Sequence, residues 1–248
     1  MKVKLRRLVK RSLLILLPLI LIALLVLFLL PQKSLSVNGN SFYSDEQIEE
    51  FLFAGKSRKA LPFFLQEKLQ RHKEIPFVEK YTVSFDGFRN VSAEVYEKTL
   101  AGYLRFQDYC LYFDWDGVLV DSSQNVLPGI YQVSGLSITH AVLGEKLVVS
   151  DQGSFSVVLS ITQFLNRESV EWSAGKIPLS ELADGIVFGS SGVSVTLGDI
   201  TVLLGSADYL ETKLALMADM LSQLEGRKGT LYLDSYKEGA AHPSYIFK

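Results

Sequence analysis

The strongest chemical signal in the chain is Leu111-Tyr112-Phe113-Asp114-Trp115-Asp116-Gly117-Val118-Leu119-Val120-Asp121-Ser122. Two carboxylates, Asp114 and Asp116, follow an apolar run at a spacing of two. Carboxylates can act as nucleophiles or hold a hard cation. The same residues have a plainer reading, because Asp116-Gly117 between two apolar runs is a hairpin turn signal. Other reactive side chains are scattered. His72, His140 and His242 lie far apart without ligand-like neighbours, and His72 sits with Arg71 and Lys73 at the basic end of a helix, where a cation is favourable. One cysteine, Cys110, excludes an internal disulfide framework and a Cys-based zinc site. It falls in a strand-like apolar run and reads as a small buried hydrophobe. The serines lack a nucleophile-elbow context, and no glycine loop could cradle a phosphate. Asp45-Glu46 and Glu49-Glu50 read as a solvated helix face. No cofactor and no metal site is expected.

The Asp114 segment resembles the nucleophile motif of the haloacid-dehalogenase phosphatases. That resemblance implies Asp114 attacking phosphorus, Asp116 as general acid/base and magnesium on the phosphate, with Ser150, Lys176 and Gly198-Asp199 in the later motifs. A membrane-anchored phosphatase is therefore the alternative function. Three features count against it. That fold needs helices between parallel strands, and only two convincing helices follow Asp121. The chain after Asp121 is short for such a domain. The third is the Asp116-Gly117 turn signal itself.

The elements that would position these residues fall into two regions. The first, residues 34–99, opens with Leu35-Ser36-Val37-Asn38-Gly39-Asn40, a strand ending in an Asn-Gly turn. Ser44 opens a helix, and Gln47 completes a capping box. Ile48, Phe51 and Leu52 give the helix an apolar face, and Gly55 stops it. A second helix starts near Pro62, runs through Phe64, Leu65, Lys68 and Leu69, and fades before Pro76. Val78 to Phe85 and Val91 to Lys98 read as strands joined through Asp86-Gly87. The order is strand, helix, helix, strand, strand.

The second region, residues 100–241, is rich in short strands: Tyr103 to Phe113, Gly117 to Val120, Leu147 to Val149, Ile186 to Phe188, Val193 to Leu197 and Ile200 to Leu204. Phe155 to Leu165 reads as one helix and Tyr209 to Leu224 as another. Leu210, Leu214, Met217, Leu221 and Leu224 recur at spacings of four and three, with Asp208 and Glu211 as a capping box and Gly226 at the end. Thr230 to Tyr236 reads as the last strand, Glu238-Gly239 as its turn, and residues 242–248 as a tail.

The N-terminus sets a separate expectation. Lys2, Lys4, Arg6, Arg7, Lys10 and Arg11 precede an apolar run from Leu13 to Leu30, interrupted only by Pro18 and Ala23. At about 1.5 Å per residue, roughly 18 helical residues span about 27 Å, close to a bilayer core. The expectation is a cytoplasmic basic tail over residues 1–12, an uncleaved single-pass transmembrane helix over residues 13–30 in the cytoplasmic membrane, and an extracytoplasmic body. The competing cleaved signal peptide would have an apolar region of about 7–15 residues and a small-x-small site, which Pro31 to Ser36 does not offer. Six of the 25 Lys and Arg lie in the tail, leaving 19 cations against 27 anions, a net charge of −8. That balance argues against nucleic acid.

Five groups of residues occur in a familiar order: Val37-Asn38-Gly39-Asn40 with Ser44-Asp45-Glu46-Gln47-Ile48; Ile75-Pro76-Phe77-Val78; Val95-Tyr96-Glu97-Lys98 leading to Gly102-Tyr103; Pro128-Gly129-Ile130 with Ser134-Gly135-Leu136; and Leu204-Gly205, Lys213-Leu214 and Tyr232-Leu233-Asp234, Tyr236, Gly239-Ala240-Ala241. Together they resemble the FtsQ/DivIB family of bacterial cell-division proteins. The resemblance implies an α+β chain with one membrane helix, a small POTRA-like domain over 34–99 and a larger β-rich domain with two helices over 100–241. It further implies a non-enzymatic divisome scaffold that binds FtsL and DivIC (FtsB in Gram-negative bacteria) and serves the septal peptidoglycan synthesis machinery at the division septum.

The family's partner site lies on the last strand and its turn, which by motif are Tyr232, Asp234, Tyr236, Glu238 and Gly239. An exposed edge strand offers free N–H and C=O groups to an incoming strand. Tyr232, Asp234 and Tyr236 would share one strand face by their spacing of two, although the tyrosines could also simply pack on the sheet. Pro243 lacks an N–H and would cut a ladder, so the site is not extended past Gly239. An Asp-x-x-Gly turn occurs in the family near the place of Asp114 to Gly117. POTRA modules also serve outer-membrane assembly machines, a reading that would need repeated POTRA units and a C-terminal barrel.

Overall fold

A computed structural model of the chain describes residues 14–23, 25–26, 34–69, 73–86, 90–236 and 246–248. The chain divides into two compact units, Met1–Lys98 and Thr99–Lys248, and its fold class is α+β.

The expected transmembrane helix over residues 13–30 is not found. Among the described residues no helix is long and apolar enough to cross a membrane. Residues 14–23 and 25–26 are helical, and the rest of the expected span lies outside the described residues; a crossing needs about 20 helical residues.

In the first unit, β1 (Ser34–Asn38), α1 (Asp45–Phe53), α2 (Ala60–Leu69), β2 (Val78–Phe85) and β3 (Asn90–Glu97) follow the order read from the sequence. The capping box forms: Gln47 N–H donates to Ser44 Oγ at 3.3 Å, and Ser44 N–H to Gln47 Oε1 at 2.9 Å. The sheet order is β1-β3-β2, with β1 parallel and β2 antiparallel to β3. Parallel pairing needs a crossover, and α1 and α2 lie between the paired strands in sequence to supply it. Ile48, Leu52 and Phe63 pack with Tyr81, Val83, Val91 and Val95 in one buried cluster. Fully burying each large side chain is worth about 1.5–3 kcal/mol.

Two polar details shape this unit. The turn after β1 passes so close to β3 that a Cβ on Gly39 would lie 2.3 Å from Val95 O, at φ +81°, so only glycine fits. Glu97 Oε1 then accepts from Ser41 N–H at 2.7 Å and Phe42 N–H at 2.8 Å, tying the end of β3 to the same loop. In the interior Glu67 pairs with Lys56. Burial, and then the Glu67 charge, push the neighbouring Tyr81 phenol up to about 12.

The second unit contains β4 (Gly102–Phe106), β5 (Tyr109–Phe113), β6 (Leu119–Ser123), β7 (Gln132–Ser134), β8 (Ile138–His140), β9 (Val148–Val149), α3 (Gln152–Arg167), β10 (Ser169–Trp172), β11 (Gly175–Pro178), α4 (Leu179–Leu182), β12 (Ala183–Gly189), β13 (Gly192–Leu197), β14 (Ile200–Gly205), α5 (Leu210–Leu221), β15 (Gly229–Tyr232) and β16 (Ile246–Phe247). Nine strands form one sheet in the order β16-β15-β14-β13-β12-β7-β4-β5-β6. Phe155, Val158, Ile161 and Leu165 of α3 join Leu214, Met217 and Leu221 of α5 in one core with Val195, Val202, Leu204 and Leu231.

Three expectations for this unit are corrected. Tyr103 to Phe113 is a hairpin, β4 and β5, because Gln107 takes a left-handed turn conformation at φ +54°. Besides the two long helices there is a third, the four-residue α4. No side chain caps α5: its N-cap is Tyr209 in the left-handed region, and Asp208 instead accepts from Ser206 Oγ at 2.9 Å.

Candidate partner-binding surface

Three of the expected site residues, Tyr232, Asp234 and Tyr236, sit where β14 and β15 end. Leu231 and Leu233 of this segment are buried, while Tyr232 between them is half-buried on the opposite face. Tyr232 stands opposite Leu203 of β14 on one side and Ile246 of β16 on the other. Leu233 N–H donates to Leu203 O of β14 at 2.9 Å; Asp234 and Ser235 then form a turn, and Tyr236 N–H donates to Leu233 O at 3.2 Å. The strand expected to reach Tyr236 therefore stops at Tyr232, and Tyr232, Asp234 and Tyr236 do not line one strand face. The turn has a local cause. Gly205 closes β14 at φ +68°, and a Cβ there would lie 2.8 Å from Asp234 Cβ, so the two chain segments nest where a side chain would separate them.

The expected open edge is also corrected. Beside β15 lies β16, paired antiparallel as Leu231 with Phe247 and Tyr232 with Ile246. Thr230 N–H donates to Lys248 O at 2.7 Å and Lys248 N–H to Thr230 O at 3.0 Å. Residues 246–247, expected in a tail, thus return to the ladder. Glu238 and Gly239 of the expected site, with His242 and Pro243, lie outside the described residues.

Beneath the turn sits a residue to which sequence reasoning assigned no role. Lys213 of α5 is 1% exposed. Its ammonium donates to Leu204 O at 2.8 Å and Ser206 O at 2.9 Å, binding the end of β14 to α5. Burial draws this ammonium below the ordinary lysine range, while the charges of Asp208 and Asp234 act in the opposite direction. The signal in the sequence was a lone lysine beside the apolar positions Leu210, Leu214 and Met217 of an amphipathic helix. Above it, Tyr209 and Tyr236 meet edge to face, with centroids 6.0 Å apart. The left-handed backbone of Tyr209 accompanies a ring that is 48% exposed. The arrangement offers two aromatic rings and the exposed carboxylates of Asp208 and Asp234 beside a strand end. Such groups recognise a partner by apolar contact and charge.

The paired carboxylates occupy a different place. Asp114 Oδ1 accepts from Asp116 N–H and Val118 N–H, both at 2.9 Å, and Gly117 N–H donates to Asp114 O at 3.0 Å. Gly117, at φ +78°, leaves no room for a side chain against Phe155. The segment is the turn between antiparallel β5 and β6, whereas the phosphatase fold would place it at the end of a parallel strand. Asp199 forms an ion pair with Lys228 at 2.9 Å on the β13–β14 turn, and Lys176 lies in the β10–β11 hairpin. Cys110 is buried. His140 is exposed in β8, and His72 lies outside the described residues. Among the described residues no group of three or more His, Cys, Asp or Glu could hold a metal ion. No model of a known protein family matches the chain, and no curated protein matches it.

Proposed function

We propose that this chain is a non-enzymatic scaffold of the bacterial division machinery, of the FtsQ/DivIB type. It acts at the septum and engages the exterior segments of FtsL and of DivIC or FtsB, linking them to septal peptidoglycan synthesis. The observation that supports this best is the succession of a βααββ unit, its β1 and β3 parallel, and a nine-stranded sheet ending in short strands. Family-like residues occupy structural positions in both: Gly39, Ser44, Gln47 and Glu97 in the first unit, Gly205, Lys213 and Tyr232 to Tyr236 in the second. Engagement is by strand addition beside β15, with Asp234 and Tyr236 at the end of the added strand.

Capture of the two exterior segments by the full chain tests the proposal. Asp234→Ala and Tyr236→Ala change exposed or half-buried groups beyond the ladder, so they should weaken capture by about tenfold while leaving the circular dichroism spectrum unchanged. Absence of capture by the parent chain sinks the scaffold assignment.

A further inference from the structure

We infer that β16 is a built-in competitor for the partner's place: the strand that covers the outer edge of β15 must leave before a partner strand can pair there. The inference rests on the strand-addition reading above and adds how that site is regulated and what the entering strand must look like.

Three observations carry it. First, the edge of β15 that a partner would use is taken by the reciprocal Thr230–Lys248 bonds and the two register pairs of β16. Second, the seat is shaped for a close backbone. A Cβ on Gly229 would lie 2.2 Å from Lys248 O and 3.0 Å from Phe247 Cζ, so glycine admits the close approach that residues 247–248 make at this edge, and an entering backbone would meet the same opening. Third, the occupant lies at the surface, with Ile246 48% exposed and Phe247 only partly buried against the core.

The register states the partner's chemistry. An entering strand runs antiparallel to β15 and places a large apolar residue opposite Leu231, where Phe247 packs on the core. Its backbone carbonyl faces Thr230 N–H, as Lys248 O does now. While β16 is seated, the competent edge is open only for a fraction of the time, and the apparent affinity falls by that fraction.

The test compares the full chain with a variant lacking residues 246–248 and with Phe247→Ala, each titrated with fluorescently labelled exterior segments of the two proposed partners. Amide exchange at Thr230 reports whether β16 has left the edge. The expected result is faster Thr230 exchange and about tenfold tighter binding in the shortened variant, with Phe247→Ala intermediate. Equal or weaker binding with Thr230 deprotected overturns the competitor role and leaves the scaffold reading standing. If the shortened variant loses its fold, Phe247→Ala decides by the same criterion. Absence of binding by every form overturns the scaffold reading, and this inference with it.

Discussion

Lys213→Met removes the cation beneath the strand ends while nearly keeping side-chain length. Two carbonyls lose their donor. Leu204 O is buried, and leaving it unsatisfied costs about 1–3 kcal/mol; Ser206 O is partly open to water, which replaces most of its bond, so about 0.5–1 kcal/mol is lost there. Relief of the buried ammonium's desolvation opposes both. The net expectation is a loss of about 2 kcal/mol, or a fall of about 4–8 °C in the Tm of the Thr99–Lys248 unit. Scanning calorimetry of the full chain reads this directly. The pH dependence gives a second check. Because burial lowers the folded-state pKa, the unfolded chain binds this proton more tightly than the folded chain. The contribution of Lys213 to stability therefore rises with pH through the window below the ordinary lysine value of 10.5, and the gap between parent and variant should widen on going from neutral toward that value. A variant as stable as the parent at neutral pH would show that the carbonyl bonds do not outweigh the burial of the charge, and a gap that narrows as pH rises would show that burial does not lower the folded-state pKa; either result would refute the reasoning.

Two other perturbations follow from the same physics. Glu67→Ala strands the Lys56 ammonium, whose side chain is 11% exposed, and should destabilise the first unit by about 3–5 kcal/mol in urea, while Lys56→Met with Glu67→Leu recovers most of that loss; a double variant no better than the single one argues against a buried ion pair. Asp114→Ala removes the acceptor of two turn N–H groups and should lower the stability of the second unit by about 1–3 kcal/mol. A magnesium-dependent phosphatase activity in the parent that vanishes in Asp114→Asn would instead restore the carboxylates to chemistry.

What the sequence determined by itself was local. The Ser44–Gln47 capping box, the strand Val78–Phe85 and the helix carrying Leu210, Leu214, Met217 and Leu221 were legible because caps, alternation and helical spacing involve residues within a few positions of one another. The turn at Gln107 was not legible, because its left-handed backbone is imposed by the pairing of β4 with β5 and not by a glycine or asparagine. Strands as short as β7 and β10 carry too few residues for an alternation to register.

The form of the candidate segment was not legible in the sequence. Residues 232 to 236 were marked by their motif, yet whether they continue as a strand depended on Gly205, which allows Asp234 to nest against β14. Lys213 became a structural cation only when α5 laid it against Leu204 O and Ser206 O. The edge of β15 was closed by Ile246 and Phe247, a pairing across residues 233–245 that no local pattern encodes. Hydrogen bonds within a turn depend on neighbours in the chain; the company a strand edge or a buried charge keeps is decided by which distant segments the core brings beside it, and only the tertiary structure contains that.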